Sequence, residues 1–364
     1  MRPYVFGVDI GGTAIKLGLF RTNGRLTEKW SILTRTENSG SNVLPDVAAS
    51  LNQVLERRGL DWDQIEGVGM GVPGPVREDG TVMRCINLGW NVFNIPRVIR
   101  GLEPRIDRFC VTNDVNAAAL GEMWQGGAEG RKSVFMVTLG IGIGVGLVIN
   151  EQIVNGVAGG AGEIGHFRVE RGETEPCKCG AYGCLEQYCS ATGLVRCARR
   201  ALAKDGHLPT ALQDDENLFA LSICSAAKAG DELASELLDQ LGDRLGWALT
   251  AVAGTTNPEV FVVGGGISNA GNLLLERIEQ GFRRHSFHAC RDTEFALAQL
   301  GNDAGMEGFW GILKRERYYG RRFTSREDIV KMIEDYILYY NSRRLQRGLG
   351  VLTPFEKHEL AMAS

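Results

Sequence analysis

The chain has 364 residues, 44% hydrophobic and 23% charged, a composition typical of a soluble globular protein long enough for two domains. Its net charge of −4 does not indicate a nucleic-acid partner, and no apolar run reaches the ~20 residues that a membrane-spanning helix needs. The N-terminus lacks a signal-peptide pattern, so we expect a cytoplasmic location, with the nine cysteines reduced and serving as metal ligands or core residues.

The first third of the chain is predicted to fold as one small α/β lobe over residues 1–112. Apolar spacing over 43–58 is typical of a helix. The first two strands are joined by a tight turn at Gly11 and Gly12. The expected strands lie at 4–9, 13–20, near 26–34, 65–70 and 107–112.

A larger second lobe is predicted over residues 113–305. Residues 133–149 repeat the opening pattern of apolar strand, glycine-rich turn and apolar strand. This internal repeat indicates a duplicated architecture with two lobes facing each other. A further strand is expected at 259–263. The helices are predicted at about 186–204, 217–228, 231–254 and 271–284.

Three glycine-rich turns are candidate nucleotide-binding elements, since glycines let backbone N–H groups approach phosphate oxygens. Two of them lie between paired strands, which favours a phosphate clamp over plain hairpins, and their spacing matches neither a Walker A loop nor a Rossmann turn. The third turn can lie flat against an adenine, although an ordinary strand-to-helix turn would look the same. Asp9 could hold magnesium, usually through water. The predicted nucleotide-binding residues are Asp9, Gly11, Gly12, Thr13, Lys16, Thr138, Gly140, Gly142, Gly264, Gly265 and Gly266.

Asn113 and Asp114 stand where a predicted strand ends and a probable helix begins. A carboxylate at this position can accept a proton from a substrate hydroxyl. An aspartate that merely caps the helix would look the same, and the residues alone do not separate the two interpretations.

The most specific motif is Glu163-Ile-Gly-His166, followed by Cys177-Lys-Cys179-Gly-Ala-Tyr-Gly-Cys184-Leu-Glu186. Three cysteines and one histidine form the ligand set of a closed structural zinc site. Reduced core thiols are the alternative, but Cys-Lys-Cys-Gly on a polar loop is a poor core sequence. We therefore predict zinc on His166, Cys177, Cys179 and Cys184. The metal would hold the flanking carboxylates of Glu163 and Glu186 rigidly.

Together these motifs resemble the ROK family of repressors and sugar kinases, most closely its glucokinase branch, over about residues 4–305. The resemblance implies a two-lobed actin-like ATPase fold with ATP, magnesium and sugar in the cleft, and a homodimer. It implies that Asp114 is the general base toward the 6-hydroxyl of glucose. The sugar-binding residues that it implies are Asn87, Asn113, Glu163, His166 and Glu186. Another hexose or N-acetylhexosamine such as N-acetylmannosamine, polyphosphate as the donor, and a non-catalytic sugar-sensing regulator stay open as alternatives.

Residues 306–364 depart from that family and carry 11 Lys and Arg against 8 Asp and Glu. They resemble the end of a DDE-type insertion-sequence transposase, notably in Tyr-Tyr-Asn-x-Arg-Arg-x-Gln and Leu-Thr-Pro-x-Glu. Glu307 matches the third catalytic acid of that family, and the first two have no counterpart. We predict a gene fusion with its junction near 303–306, and a short helical extension without functional nucleic-acid binding.

Overall fold

A computed structural model describes residues 2–204, 206, 208–214 and 218–301. The tail predicted over 306–364 lies outside these residues. Within the described part of the chain, no helix is long and apolar enough to cross a membrane.

The first lobe is built on a five-stranded sheet of order β3-β2-β1-β4-β7. The strands of this sheet are β1 (Tyr4–Ile10), β2 (Ala14–Arg21), β3 (Leu26–Leu33), β4 (Ile65–Val72) and β7 (Phe109–Asn113). A separate two-stranded sheet consists of β5 (Thr81–Val82) and β6 (Phe93–Asn94). Its helices are the short turn α1 (Glu37–Gly40), α2 (Val43–Arg58) and α3 (Ile95–Leu102). The helix predicted over 43–58 is confirmed, because its apolar residues are buried against the sheet.

The second lobe repeats this topology with a sheet of order β10-β9-β8-β11-β12. In each sheet two antiparallel hairpins stand beside two parallel strands, so the predicted duplication is confirmed. The strands are β8 (Val134–Leu139), β9 (Ile143–Ile149), β10 (Gln152–Ile153), β11 (Val260–Gly264) and β12 (Glu294–Leu297). The helices are α4 (Asp114–Gln125), α5 (Glu186–Cys189), α6 (Ala191–Leu202), α7 (Ala220–Lys228), α8 (Glu232–Thr256) and α9 (Asn272–His285).

The single helix predicted over 186–204 is wrong, because the chain breaks at Ser190 into α5 and α6. Ser190 is extended, with ψ 169°, and its Oγ accepts the N–H of Gly193 at 2.9 Å, which caps α6. A Cβ at Gly193 would come within 2.6 Å of the Glu186 carbonyl oxygen, so a glycine permits this close approach. The break places Glu186 at the start of its own short helix.

Helix α4 lies between the two sheets and joins their cores. One buried cluster combines side chains of the first sheet, of α4 and of the second sheet. Its buried members are Val5, Phe20, Cys110, Ala118, Ala119, Leu120, Ala128, Val134, Met136, Val148, Val260 and Val262. The two lobes therefore share an apolar contact centred on one helix, in addition to the separate core of each lobe.

Candidate active site

Asp114 is the first residue of α4, and Asn113 is the residue that caps this helix. The Asn113 Oδ1 accepts the N–H groups of Val115 at 2.9 Å and Asn116 at 3.2 Å. The Asp114 Oδ1 accepts from Asn113 Nδ2 at 2.9 Å and from the Val115 N–H at 2.9 Å. Asn113 is therefore the capping residue of α4, and the role of Asp114 as general base stays a prediction.

A second carboxylate, that of Asp9 at the end of β1, lies beside Asp114. Gly71 on β4 separates the two, since a Cβ on it would lie 3.3 Å from the Asp114 Cα and 3.7 Å from Asp9 Oδ1. Removal of solvent around Asp114, together with the charge of Asp9, raises the pKa of the Asp114 carboxyl group to about 7. A carboxyl group with a pKa near 7 can exchange a proton at neutral pH.

The first glycine turn follows Asp9 directly. The Gly11 N–H donates to the Ala14 carbonyl at 3.1 Å, whereas Gly12 faces open space. Thr34 Oγ1 donates to the Gly11 carbonyl at 2.7 Å, and the Thr34 N–H donates to the Thr13 carbonyl. Lys16 lies opposite Asp9 in the β1–β2 ladder. Thr34, just after β3, therefore fixes the turn through two hydrogen bonds, while Gly12 at its tip stays exposed.

The two glycine turns of the second lobe meet each other. Gly264 pairs with Thr138 between β11 and β8, and a Cβ on Gly265 would come within 2.5 Å of the Leu139 backbone nitrogen. Gly265 also has a φ of 86°, which L side chains rarely adopt. Gly266, by contrast, has open space on the Cβ side. The structure thus brings the predicted phosphate and adenine turns together.

Glu186 connects the second turn to the cysteine loop. Its Oε2 accepts the N–H of Ile143 at 3.0 Å and fills the space beside Gly142. The start of β9 in turn contacts α4, since a Cβ on Gly144 would lie 2.7 Å from the Val115 side chain. A continuous set of contacts therefore runs from Asp114 through β9 to Glu186.

The predicted zinc ligands form one compact group. The ligand atoms of His166, Cys177, Cys179 and Cys184 all lie within 4.8 Å of one another. Cys179 Sγ is 3.7 Å from Cys184 Sγ, and His166 Nδ1 is 3.9 Å from Cys177 Sγ. Zn–S bonds of about 2.3 Å at tetrahedral angles imply ligand separations of about 3.8 Å. The donor set and its spacing fit a tetrahedral metal.

Glu163 lies close to both His166 and Glu186, and the residues Glu163 and His166 are exposed. Desolvation raises the pKa of Glu163, the neighbouring His166 opposes this, and the charge of Glu186 adds to it. Asn87 is also exposed, in a turn next to Cys85, and the loop before that turn bonds to Asn113 through the Gly74 carbonyl at 3.2 Å. The predicted contact of Asn87 with the sugar stays a prediction.

Sequence reasoning missed Glu173, which fastens the cysteine loop to α6. Its buried carboxylate accepts hydrogen bonds from Tyr188, Arg196 and Arg200, and the Arg200 guanidinium lies 2.8 Å away. The Arg200 bonds are the main reason that the pKa of Glu173 lies well below its usual range. Glu173 stands among several acidic residues in the sequence, and only the folded chain distinguishes it.

Two lobes of one topology, with a carboxylate-bearing helix between them and glycine turns beside it, define an actin-like ATPase fold, as predicted. The ROK hexokinase of Thermus thermophilus has the same fold, with a TM-score of 0.71 and 29% identity over 86% of this chain and 99% of that one. The chain belongs to the ROK family, which it matches over residues 5–316.

Two further relatives are glucokinases. The glucokinase of Halalkalibacterium halodurans is 39% identical over 319 residues, which is 86% of this chain and 96% of the relative. A ROK family glucokinase from Streptomyces griseus, solved with glucose and AMPPNP, is 32% identical with a TM-score of 0.69, over 86% and 99% of the two chains. These likenesses support a hexokinase-type phosphotransferase that acts on a sugar.

The C-terminal segment matches a different family, described as an integrase core domain, over residues 307–360. This match fits the predicted transposase-like fragment. The two family matches overlap over residues 307–316, so these ten residues are compatible with both families. The junction near 303–306 stays a prediction.

The raised pKa of Asp114 predicts a pH-dependent effect of Asp114→Asn on stability. A carboxyl group whose pKa rises on folding from an ordinary 3.8 to about 7 favours the folded state most below pH 4, where it is neutral, and this contribution is lost as the pH rises through 7, where its charge has to be buried. Asparagine is neutral at every pH and has no such charge. At pH 8 the variant should therefore be more stable than the parent, by on the order of 1–2 kcal/mol after allowance for partial exposure. At pH 4 the difference should vanish.

Urea denaturation at pH 4, 6 and 8 measures this difference. Asp292→Asn, at a side chain that is 98% exposed, is the matched control and should show no such trend. Equal stability of Asp114→Asn and the parent at pH 8 would contradict the assigned pKa shift.

Proposed function

We propose that the chain is an ATP-dependent kinase that transfers the γ-phosphate of ATP to the 6-hydroxyl of glucose. The observation that carries this proposal is Asp114, a carboxyl group with a pKa near 7 at the N-terminus of α4. It lies beside Asp9 and the first glycine turn on one side, and its helix contacts the second turn on the other. The glucokinase relatives favour glucose as the sugar.

In the proposed reaction, Asp114 accepts the proton of the sugar hydroxyl as the oxygen attacks the γ-phosphorus in line with the leaving ADP. Phosphoryl transfer depends mainly on positioning and charge stabilisation. The backbone N–H groups of the glycine turns hold the phosphates, and Gly264 to Gly266 lie against the adenine. Magnesium, when bound near Asp9, neutralises phosphate charge. Closure of the lobes excludes water, which suppresses ATP hydrolysis.

We propose that the sugar contacts Asn87, Asn113, Glu163, His166 and Glu186. Three of these residues lie next to the metal ligands or among them, and Glu186 also bonds to the Ile143 N–H. A metal on the cysteine loop would fix the His166 ring through Nδ1, the nitrogen that faces Cys177. The other ring nitrogen would then be available to a sugar hydroxyl.

Activity with a panel of hexoses and N-acetylhexosamines tests the proposal. ATP-dependent turnover, followed by ADP release, should be fastest with glucose in kcat/KM. Asp114→Asn should lower kcat by about 10²–10⁴-fold, because it removes the general base but preserves the shape of the side chain. For the parent, kcat/KM should fall about tenfold per pH unit below 7, since only the ionised base accepts a proton.

Asp292→Asn should leave these constants unchanged and controls for the loss of a carboxylate as such. A preference for an N-acetylated hexosamine or for polyphosphate would reassign the substrate. Absence of turnover with every sugar and donor, together with sugar binding by calorimetry, would favour the sugar-sensing regulator. Turnover by Asp114→Asn within a few-fold of the parent would reject the assigned base.

We also propose that the cysteine loop holds one structural zinc. Cys179→Ser should lose the metal, because Cys179 Sγ faces Cys184 Sγ at 3.7 Å within the four-ligand group. Sugar affinity should fall before ATP affinity does, since the loop carries His166 and precedes Glu186. Elemental analysis of the purified chain and calorimetric titration with glucose and AMPPNP measure both effects.

Cys197→Ser is the matched control, since this cysteine lies on α6 and outside the four-ligand group. It should keep one zinc per chain. A freshly purified parent without zinc, or a Cys179→Ser variant that retains it, would overturn the assignment.

For the C-terminal segment we propose a fused fragment that the kinase does not need. One carboxylate, that of Glu307, cannot hold the two metals that strand-transfer chemistry uses. Removal of residues 318–364 should leave kcat and the sugar KM within about two-fold of the full chain, and neither form should cleave DNA in the presence of Mg²⁺. Loss of kinase activity on truncation would show instead that the segment belongs to the catalytic fold.

A further inference from the structure

A second buried carboxylate lies on α4, two turns beyond Asp114. The Glu122 side chain is fully buried, and its oxygens accept four hydrogen bonds from three backbone N–H groups. Oε2 accepts from Gly127 at 2.7 Å and from Gln299 at 3.0 Å. Oε1 accepts from Gln299 at 3.0 Å and from Leu300 at 2.9 Å. All three partners are N–H donors. A carboxylate suits this position because both of its oxygens can accept hydrogen bonds.

The donors come from two separate segments of the chain. Gly127 follows the end of α4, whereas Gln299 and Leu300 follow β12, the edge strand of the second sheet. The carboxylate occupies the space beside Gly126, where a Cβ would come within 2.0 Å of Oε2. Glu122 therefore ties the end of the second sheet to the end of the helix between the lobes.

The first lobe reaches the same end of α4. A Cβ on Gly24, in the turn between β2 and β3, would come within 1.9 Å of the Trp124 ring, so the turn packs closely on that side chain. Trp124 and Leu300 both pack against the buried cluster that the two lobes share. The Glu122 contacts thus lie where the first sheet, α4 and the second sheet pack against one another.

Helix α4 connects this point to the proposed reaction. Asp114 and Glu122 are eight residues apart on one continuous helix, a rise of about 12 Å. Between them the helix is held laterally, because Asn116 Oδ1 accepts the Leu147 N–H at 3.1 Å and Gly146 lies against the Val115 carbonyl. A displacement of the helix at its C-terminal end would therefore tilt α4 about these contacts and change the orientation of Asp114 toward the turns of the second lobe.

We propose that Glu122 is a positioning residue, a clamp that sets the angle between α4 and the second lobe and so places Asp114 against the phosphates. This inference rests on the proposed kinase function. A glutamine would not replace the carboxylate, since its NH₂ group would face backbone N–H donors in place of an acceptor. Loss of one such buried acceptor leaves donors unsatisfied in the shared core.

Glu122→Gln tests the clamp, with Glu129→Gln as the matched control. Glu129 is an exposed carboxylate seven residues further on. In the glucose assay, kcat of Glu122→Gln should fall at least tenfold at a temperature well below its melting transition, and that of Glu129→Gln should not change. The decrease in radius of gyration on addition of glucose and AMPPNP, measured by small-angle X-ray scattering, should be smaller in Glu122→Gln than in the parent.

A folded Glu122→Gln variant with kcat and compaction within two-fold of the parent would overturn the clamp, even if its melting temperature fell, because Glu122 would then be structural only. If the parent phosphorylates no sugar, the proposed function fails while the scattering comparison still tests the clamp. If Glu122→Gln does not fold, hydrogen exchange of the backbone amides in the parent tests the clamp instead, since the Gln299 and Leu300 amides bond to Glu122. Exchange of the 297–301 amides should slow by at least tenfold when glucose and AMPPNP bind, and unchanged exchange would reject the proposal.

Discussion

Helix α4 has to pack against two sheets at once, because β8 and β9 lie on one of its sides and β4 and β7 on another. The sequence meets this constraint with small residues on both partners, among them Ala117, Ala118 and Ala119 on the helix. Gly146 on β9 allows the closest approach, since a Cβ there would come within 2.4 Å of the Val115 carbonyl. The site depends on this packing, because the carboxylate of Asp114 can stand between the lobes only if its helix does.

The cysteine loop depends on a different kind of support. The four proposed metal ligands lie together, but they do not attach the loop to the rest of the lobe. That attachment comes from Glu173 with Arg196 and Arg200 on α6, and from Gln187, whose Oε1 accepts the N–H groups of Gly183 and Cys184. A buried carboxylate that has two guanidinium partners makes strong charge-assisted bonds. The loop is thus held from the protein side as well as by the metal-binding group.

Local patterns were sufficient to predict most of the fold. Apolar strands, glycine turns and their repetition predicted most strands of both sheets and the duplicated architecture, and the cysteine spacing identified a group that the structure brings together. The prediction of one helix over 186–204 was wrong at Ser190, because the apolar pattern continues across a local cap in which one hydroxyl ends α5 and begins α6. The short strands β5, β6 and β12 were missed because each depends on pairing with a strand elsewhere in the chain. In the sequence, Glu122 and Glu173 cannot be distinguished from other acidic residues. Only the folded chain brings the Gln299 N–H to Glu122 and the Arg200 guanidinium to Glu173.

The hydrogen bonds of Glu122 also fix the point at which the chain leaves the second sheet. Two of its three donor residues, Gln299 and Leu300, come directly after β12. Because their bonds to Glu122 are buried, any force that pulls on residues 299–300 would have to break these bonds before it could displace α4. The position of Asp114 is therefore protected from disturbances that reach the end of the second sheet.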